Sequence, residues 1–151
     1  MYTRQQVSQA KQAFWTRFGQ YMSPVPSAEG SKINWINYKT GVKGIRFVMD
    51  ADQRSAEIAI VVAHPDAGQQ AILFEKLRQL KRFLDAETEE AWQWDENMKD
   101  ENGNVSSRVY TIKNGVNLFD EKDWPAIISF FKPRIIALDA FWALARDLIM
   151  E

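Results

Sequence analysis

Apolar positions recur at two different periods along this chain, and the switches between them mark its elements. In residues 3–21, Val7, Ala10, Phe14 and Phe18 fall at three- and four-residue steps, the spacing of one helix face. Thr3 stands where an N-cap belongs. Residues 23–31 hold Pro24, Pro26 and Gly30 and read as a loop. Three strand-like segments are expected next. Residues 32–39 carry Ile33, Trp35, Ile36 and Tyr38. After Gly44, Ile45, Phe47 and Met49 alternate with Arg46, Val48 and Asp50. Residues 50–54 form a polar turn. In 56–64, Ile58, Ile60 and Val62 point one way and Ala59, Val61 and Ala63 the other, as in a central strand covered on both faces.

Residues 65–68 break the chain, and 69–84 return to a helical period with Leu73, Leu77, Leu80 and Leu84. Residues 91–95 place Trp92 and Trp94 on one side of a short strand. Residues 98–106 are turn-like, and 108–112 form the partner strand of a hairpin. From Asp123 the chain is helical and strongly apolar, with Ile135, Leu138, Phe141, Trp142, Ala145 and Leu148 on a wide stripe. Pro133 kinks this helix or splits it in two. The expected fold is α+β: one layered domain over 1–151, in the order α-βββ-α-ββ-α(α), with a five-stranded mixed or antiparallel sheet packed with helices.

Composition narrows what such a domain can do. The chain has 151 residues, 46% hydrophobic and 26% charged, enough to bury a core without crosslinks. It has no cysteine, which removes disulfides, thiolate metal sites and a cysteine nucleophile. Its one histidine is His64. The net charge of −1 gives no global field for nucleic acid. No run of about 18 apolar residues is present, and the N-terminus lacks a signal-peptide stretch, so a cytoplasmic protein with no membrane contact is expected. No glycine-rich phosphate loop and no Gly-x-Ser-x-Gly elbow occurs.

Three places remain for chemistry. His64 ends the central strand beside Pro65 and Asp66, where it either serves a site or caps the strand through local hydrogen bonds. Asp50 ends the second expected strand, Glu57 opens the third, and Asp66 follows it. A helix, three strands, a helix and a strand is also the core order of the restriction-endonuclease-like fold. That resemblance would make Asp50 and Glu57 ligands of Mg²⁺, the only cofactor considered. Position 59, where such sites carry lysine, holds alanine. Basic residues interleaved with aromatics mark the third place. Asn34, Tyr38, Lys43, Arg46 and Arg108 form the candidate binding surface, with His64 at its edge, for nucleic acid or another protein. Trp35 and Tyr38 are expected on opposite strand faces, with Trp35 packed inside. Val48, Ala59, Val61 and Val109 share an expected sheet face that a helix or a second copy of the chain must cover, so a homodimer is a further expectation.

Four stretches also carry a family resemblance: 12–21 (Gln-Ala-Phe-Trp-Thr-Arg-Phe-Gly-Gln-Tyr), 32–39 (Lys-Ile-Asn-Trp-Ile-Asn-Tyr-Lys), 64–66 (His-Pro-Asp) and 123–134 (Asp-Trp-Pro-Ala-Ile-Ile-Ser-Phe-Phe-Lys-Pro-Arg). Together they resemble the bacterial domain of unknown function 4268 over nearly the whole chain. Related domains stand alone or resemble the C-terminal part of longer proteins with a nuclease-like N-terminal half. The resemblance implies a DNA-transaction or defence context and transfers no catalytic residue. With so few catalytic side chains, a non-enzymatic binding or accessory module is the leading reading. A degenerate or metal-dependent nuclease and a homo-oligomeric structural protein are the alternatives.

Overall fold

The computed structural model describes residues 2–151. Helix α1 (Arg4–Met22) starts where Thr3 closes a capping box with Gln6: each side chain accepts from the other's backbone N–H, at 3.1 and 2.8 Å. Phe14, Phe18 and Met22 are the buried face. Two strands follow, β1 (Ile45–Ala51) and β2 (Ser55–Val62), then α2 (Ala67–Gln79), α3 (Lys81–Thr88), β3 (Gln93–Lys99), β4 (Val105–Asn114) and α4 (Trp124–Met150). All strand pairs are antiparallel, in the order β1-β2-β4-β3.

The expected first strand, 32–39, is not a strand, so the sheet has four strands rather than five. Two strands, not three, separate α1 from α2, and the order on which the likeness to the nuclease core rested is not the observed one. The physical reason lies in Asn34. Its Oδ1 accepts from the backbone N–H of Ile36 and Asn37, at 3.1 and 3.0 Å, which curls the segment into an Asx turn. Trp35 is anchored inside by its own indole, which donates to the Val25 carbonyl at 2.9 Å. Its ring lies 6.3 Å from that of Tyr38, so the two do not sit on opposite faces of a sheet.

The expected helix 69–84 is two helices, because Leu80 leaves helical geometry (φ −102°, ψ 11°). Asp66 caps α2 by accepting from the Gln69 N–H at 3.0 Å. The last helix is continuous through Pro133 over 27 residues. Pro133 is exposed there, so its ring points to solvent. No helix among the described residues is long and apolar enough to cross a membrane.

The register sorts the sheet into an inner and an outer face. On the inner face Phe47, Ile60, Val109 and Trp94 form one row across β1, β2, β4 and β3. They join the main core with Phe14, Phe18, Phe74, Leu84, Phe131, Leu138 and Phe141 from the helices. On the outer face three rows follow one another along the strands: Arg46, Val61, Arg108 and Asp95; then Val48, Ala59, Tyr110 and Gln93; then Asp50, Glu57 and Ile112. Val109 therefore leaves the expected outer cluster and Tyr110 takes its place. No helix residue belongs to that cluster among the described residues. Ala59 and Tyr110 are nonetheless buried. Arg108 reaches diagonally to Glu57, its guanidinium 5.0 Å from the centre of the Tyr110 ring. Long side chains of the sheet itself thus roof Ala59.

A polar cleft between the 23–44 segment and helix α4

One face of α4 holds the connection between α1 and β1 in place. Asp139, Trp142 and Arg146 follow at helical spacing, and each meets a different part of that connection. Asp139 is 6% exposed. Its Oδ2 accepts from the Ala28 N–H at 2.7 Å and its Oδ1 from the Tyr38 hydroxyl at 2.5 Å. The Trp142 indole donates to the Thr40 carbonyl at 2.7 Å. Gly41 (φ +76°) lies against the Arg146 stem, where a Cβ would stand 3.9 Å from Cδ. A buried carboxylate needs such donors to offset lost hydration, and the Ala28 N–H and Tyr38 hydroxyl supply them.

Above this anchor lies a cleft of about 480 Å³, lined by Ser27, Glu29, Ser31, Ile33, Asn34, Asn37, Tyr38, Lys39, Asp139 and Arg146. Its size falls in the range of small-molecule sites. Burial, then the hydrogen bond to Asp139, raises the Tyr38 hydroxyl far above its ordinary ionisation range, so it stays a neutral donor. The Tyr38 ring stacks on Phe47 at 4.9 Å, which couples the cleft wall to the inner face of β1.

The sequence-derived candidates separate into groups. Asn34 and Tyr38 meet in the cleft. Arg46 and Arg108 flank Val61 on the outer face, on the other side of the sheet from the Tyr38–Phe47 stack. Arg108 is committed to Glu57, and Asp95 stands opposite it in register. Lys43 is exposed in the turn before β1. That turn lies beside His64, since a Cβ on Gly44 would stand 3.3 Å from His64 Cδ2. His64 Nδ1 accepts from the Asp66 N–H at 3.0 Å, the local cap considered above. Asp50 and Glu57 are cross-strand neighbours. Asp50 pairs with Lys11 at 3.4 Å and Glu57 with Arg108. His64 lies seven residues further along, about 20 Å from Glu57 at strand rise. Among the described residues no three of Asp, Glu and His gather where a metal ion could be held.

Sequence reasoning missed Asp139, Trp142 and Arg146. The signal for Asp139 was present: it is the one acid between Trp124 and Ala145, on an otherwise apolar face. Glu90 is a second polar anchor. It takes a two-pronged hydrogen bond from Arg134, at 2.8 and 2.9 Å, and the Trp92 indole N–H at 2.8 Å.

These features define an α+β domain: a four-stranded antiparallel sheet, four helices against its inner face, and a polar cleft where the longest connection crosses the longest helix. The chain belongs to the family Domain of unknown function (DUF4268), whose model matches residues 10–145. No curated protein and no solved structure matches it.

Proposed function

We propose that this domain is a non-enzymatic binding module, cytoplasmic and acting in a DNA-transaction or defence setting, whose recognition site is the cleft between the 23–44 segment and α4. The observation that carries the reading is convergence. Asn34, Tyr38 and Lys39 from the 23–44 segment and Arg146 from α4, distant in sequence, come to one concave surface. That surface rests on a buried carboxylate with a hydrogen bond to each oxygen, which fixes its geometry before any ligand arrives. The outer sheet face fits this role less well. Its cations alternate with Asp50, Glu57 and Asp95, which lowers the local attraction for phosphate.

The test is an amide-resolved NMR titration with small metabolites of each charge class and with short DNA. A ligand of this site moves resonances of residues 27–39 and of α4 around Asp139, and Asn34→Ala weakens the response. Titrants that move only residues of β1 and β4 near Arg46 and Arg108 would place recognition on the outer face instead.

Two further readings each have one observation behind them. The cross-strand pairing of Asp50 with Glu57 favours a degenerate or Mg²⁺-dependent nuclease. Metal-dependent DNA cleavage that disappears in Glu57→Ala is its signature. Exposed Phe83, Leu144 and Leu148, which line an apolar hollow of about 230 Å³ with Leu80, Phe141 and Ala145, favour a homo-oligomer. Light scattering would then give a multiple of the chain mass that Leu144→Glu returns to monomer.

A further inference from the structure

We propose that the cleft selects a small oxyanion, a carboxylate or a phosphate monoester, with Arg146 as its principal partner. The proposal rests on the reading of the cleft as a binding site and assigns its chemistry. The argument is which hydrogen-bonding groups are still free. Each oxygen of Asp139 accepts one hydrogen bond, from the Ala28 N–H and from the Tyr38 hydroxyl, both neutral donors, so its negative charge stays at the floor of the cleft. The side-chain oxygen of Asn34 is taken by two backbone N–H groups, which leaves its amide N–H₂ as the free end. Lys39 lines the cleft and makes no ion pair among the described residues.

Arg146 makes one ion pair among the described residues, with its own neighbour Asp147, 3.7 Å from Nε and mostly solvated. Five N–H donors of one guanidinium cannot be satisfied by that contact. What the cleft offers an anion is therefore the Asn34 amide, a guanidinium and an ammonium, beside the Asn37 amide and the Ser27 and Ser31 hydroxyls. The one uncommitted carboxylate is that of Glu29, which lines the cleft and makes no ion pair among the described residues. Planar Arg binds carboxylate or phosphate through paired hydrogen bonds. Glu29 and Asp139 balance part of the positive charge of Lys39 and Arg146 and repel a second negative group, which favours a ligand with one anionic head.

Inorganic phosphate, acetate and a short single-stranded oligonucleotide serve as probes, with sodium chloride at matched ionic strength as the reference for screening. The readouts are the side-chain amide resonances of Asn34 and Asn37 and the dissociation constant. Phosphate or acetate is expected to shift both amides beyond the chloride reference. Arg146→Ala should weaken binding about tenfold or more, the loss of one charge-assisted hydrogen bond. Arg146→Lys should recover part of it, since charge without the planar fork is half of the interaction. Unperturbed backbone resonances of β1 to β4 in both variants establish that the fold is kept. Binding of both anions unchanged in Arg146→Ala overturns the proposal. Shifts from the oligonucleotide alone overturn the small-molecule source. Shifts from cationic or neutral metabolites without any from the anions overturn the anion assignment and leave the binding cleft standing. No cleft response to any titrant overturns both.

Discussion

Asp139 joins parts of the chain 111 and 101 residues apart, Ala28 and Tyr38. Its replacement by Ala removes two hydrogen bonds to a charged acceptor. It should cost about 2–4 kcal/mol in urea denaturation, whereas Asp139→Asn, which keeps one acceptor, should cost less. Tyr38 gives this anchor a pH signature. Its folded ionisation lies above its ordinary value of about 10, so the unfolded chain loses the proton first. The contribution is intact below that ordinary value and falls as pH rises through the folded one. Tyr110, raised by its hydrogen bond to Asp95 and then by burial, acts in the same direction. Tyr38→Phe should flatten the alkaline fall in stability measured by denaturation across that range. The two core tryptophans of β3 and its approach make a second comparison. The Trp92 N–H is bonded to Glu90, while the buried Trp94 N–H has no partner. Trp92→Phe should therefore cost about 1 kcal/mol more than Trp94→Phe.

At the scale of elements, periodicity located what it could. The Thr3 cap, the stripe of α1, the alternation in β1 and β2 and the β3–β4 hairpin are all local patterns, and each was legible. The segment 32–39 has strand-like alternation as well, yet its apolar residues pack into a loop held by Asn34, Trp35 and Tyr38. Periodicity reports which side chains want burial and does not distinguish a ladder from an Asx turn. Gly44 shows the same limit. It has φ +91°, and a Cβ there would approach Leu73 to 3.1 Å and His64 to 3.3 Å. Gly44→Ala should lower stability by about 1–3 kcal/mol, read from the denaturation midpoint. Pro133, by contrast, lies inside the continuous α4 at an exposed position and removes one helical N–H donor. Pro133→Ala restores a helical N–H and should raise stability by about 1–3 kcal/mol in the same measurement.

For the whole molecule the sheet has one face committed to the helices and one closed by its own side chains. The Glu57–Arg108 pair with Tyr110 does on the outer face what a partner layer would otherwise do. A double-mutant cycle on Glu57 and Arg108 should give a coupling of about 1 kcal/mol, the scale of a half-exposed pair. This roof also bears on the proposed function, because it ties up Arg108 on the outer face, whereas Lys39 and Arg146 in the cleft make no comparable pair among the described residues.

Sequence alone determined the class of the molecule: the helical stretches though not the break at Leu80, the strands with real alternation, the family, and the absence of thiol chemistry. Those follow from local spacing and composition, which a chain carries whether or not it is folded. Tertiary structure decided which polar residues share a surface. Asn34 and Arg108 belonged together in the linear reading and lie on opposite sides of the sheet. Asn34 and Arg146, 112 positions apart, line one cleft. The reason is that the Asx turn at Asn34 and the carboxylate of Asp139 bend the 23–44 segment back onto α4, and long-range contacts of that kind leave no period in the sequence.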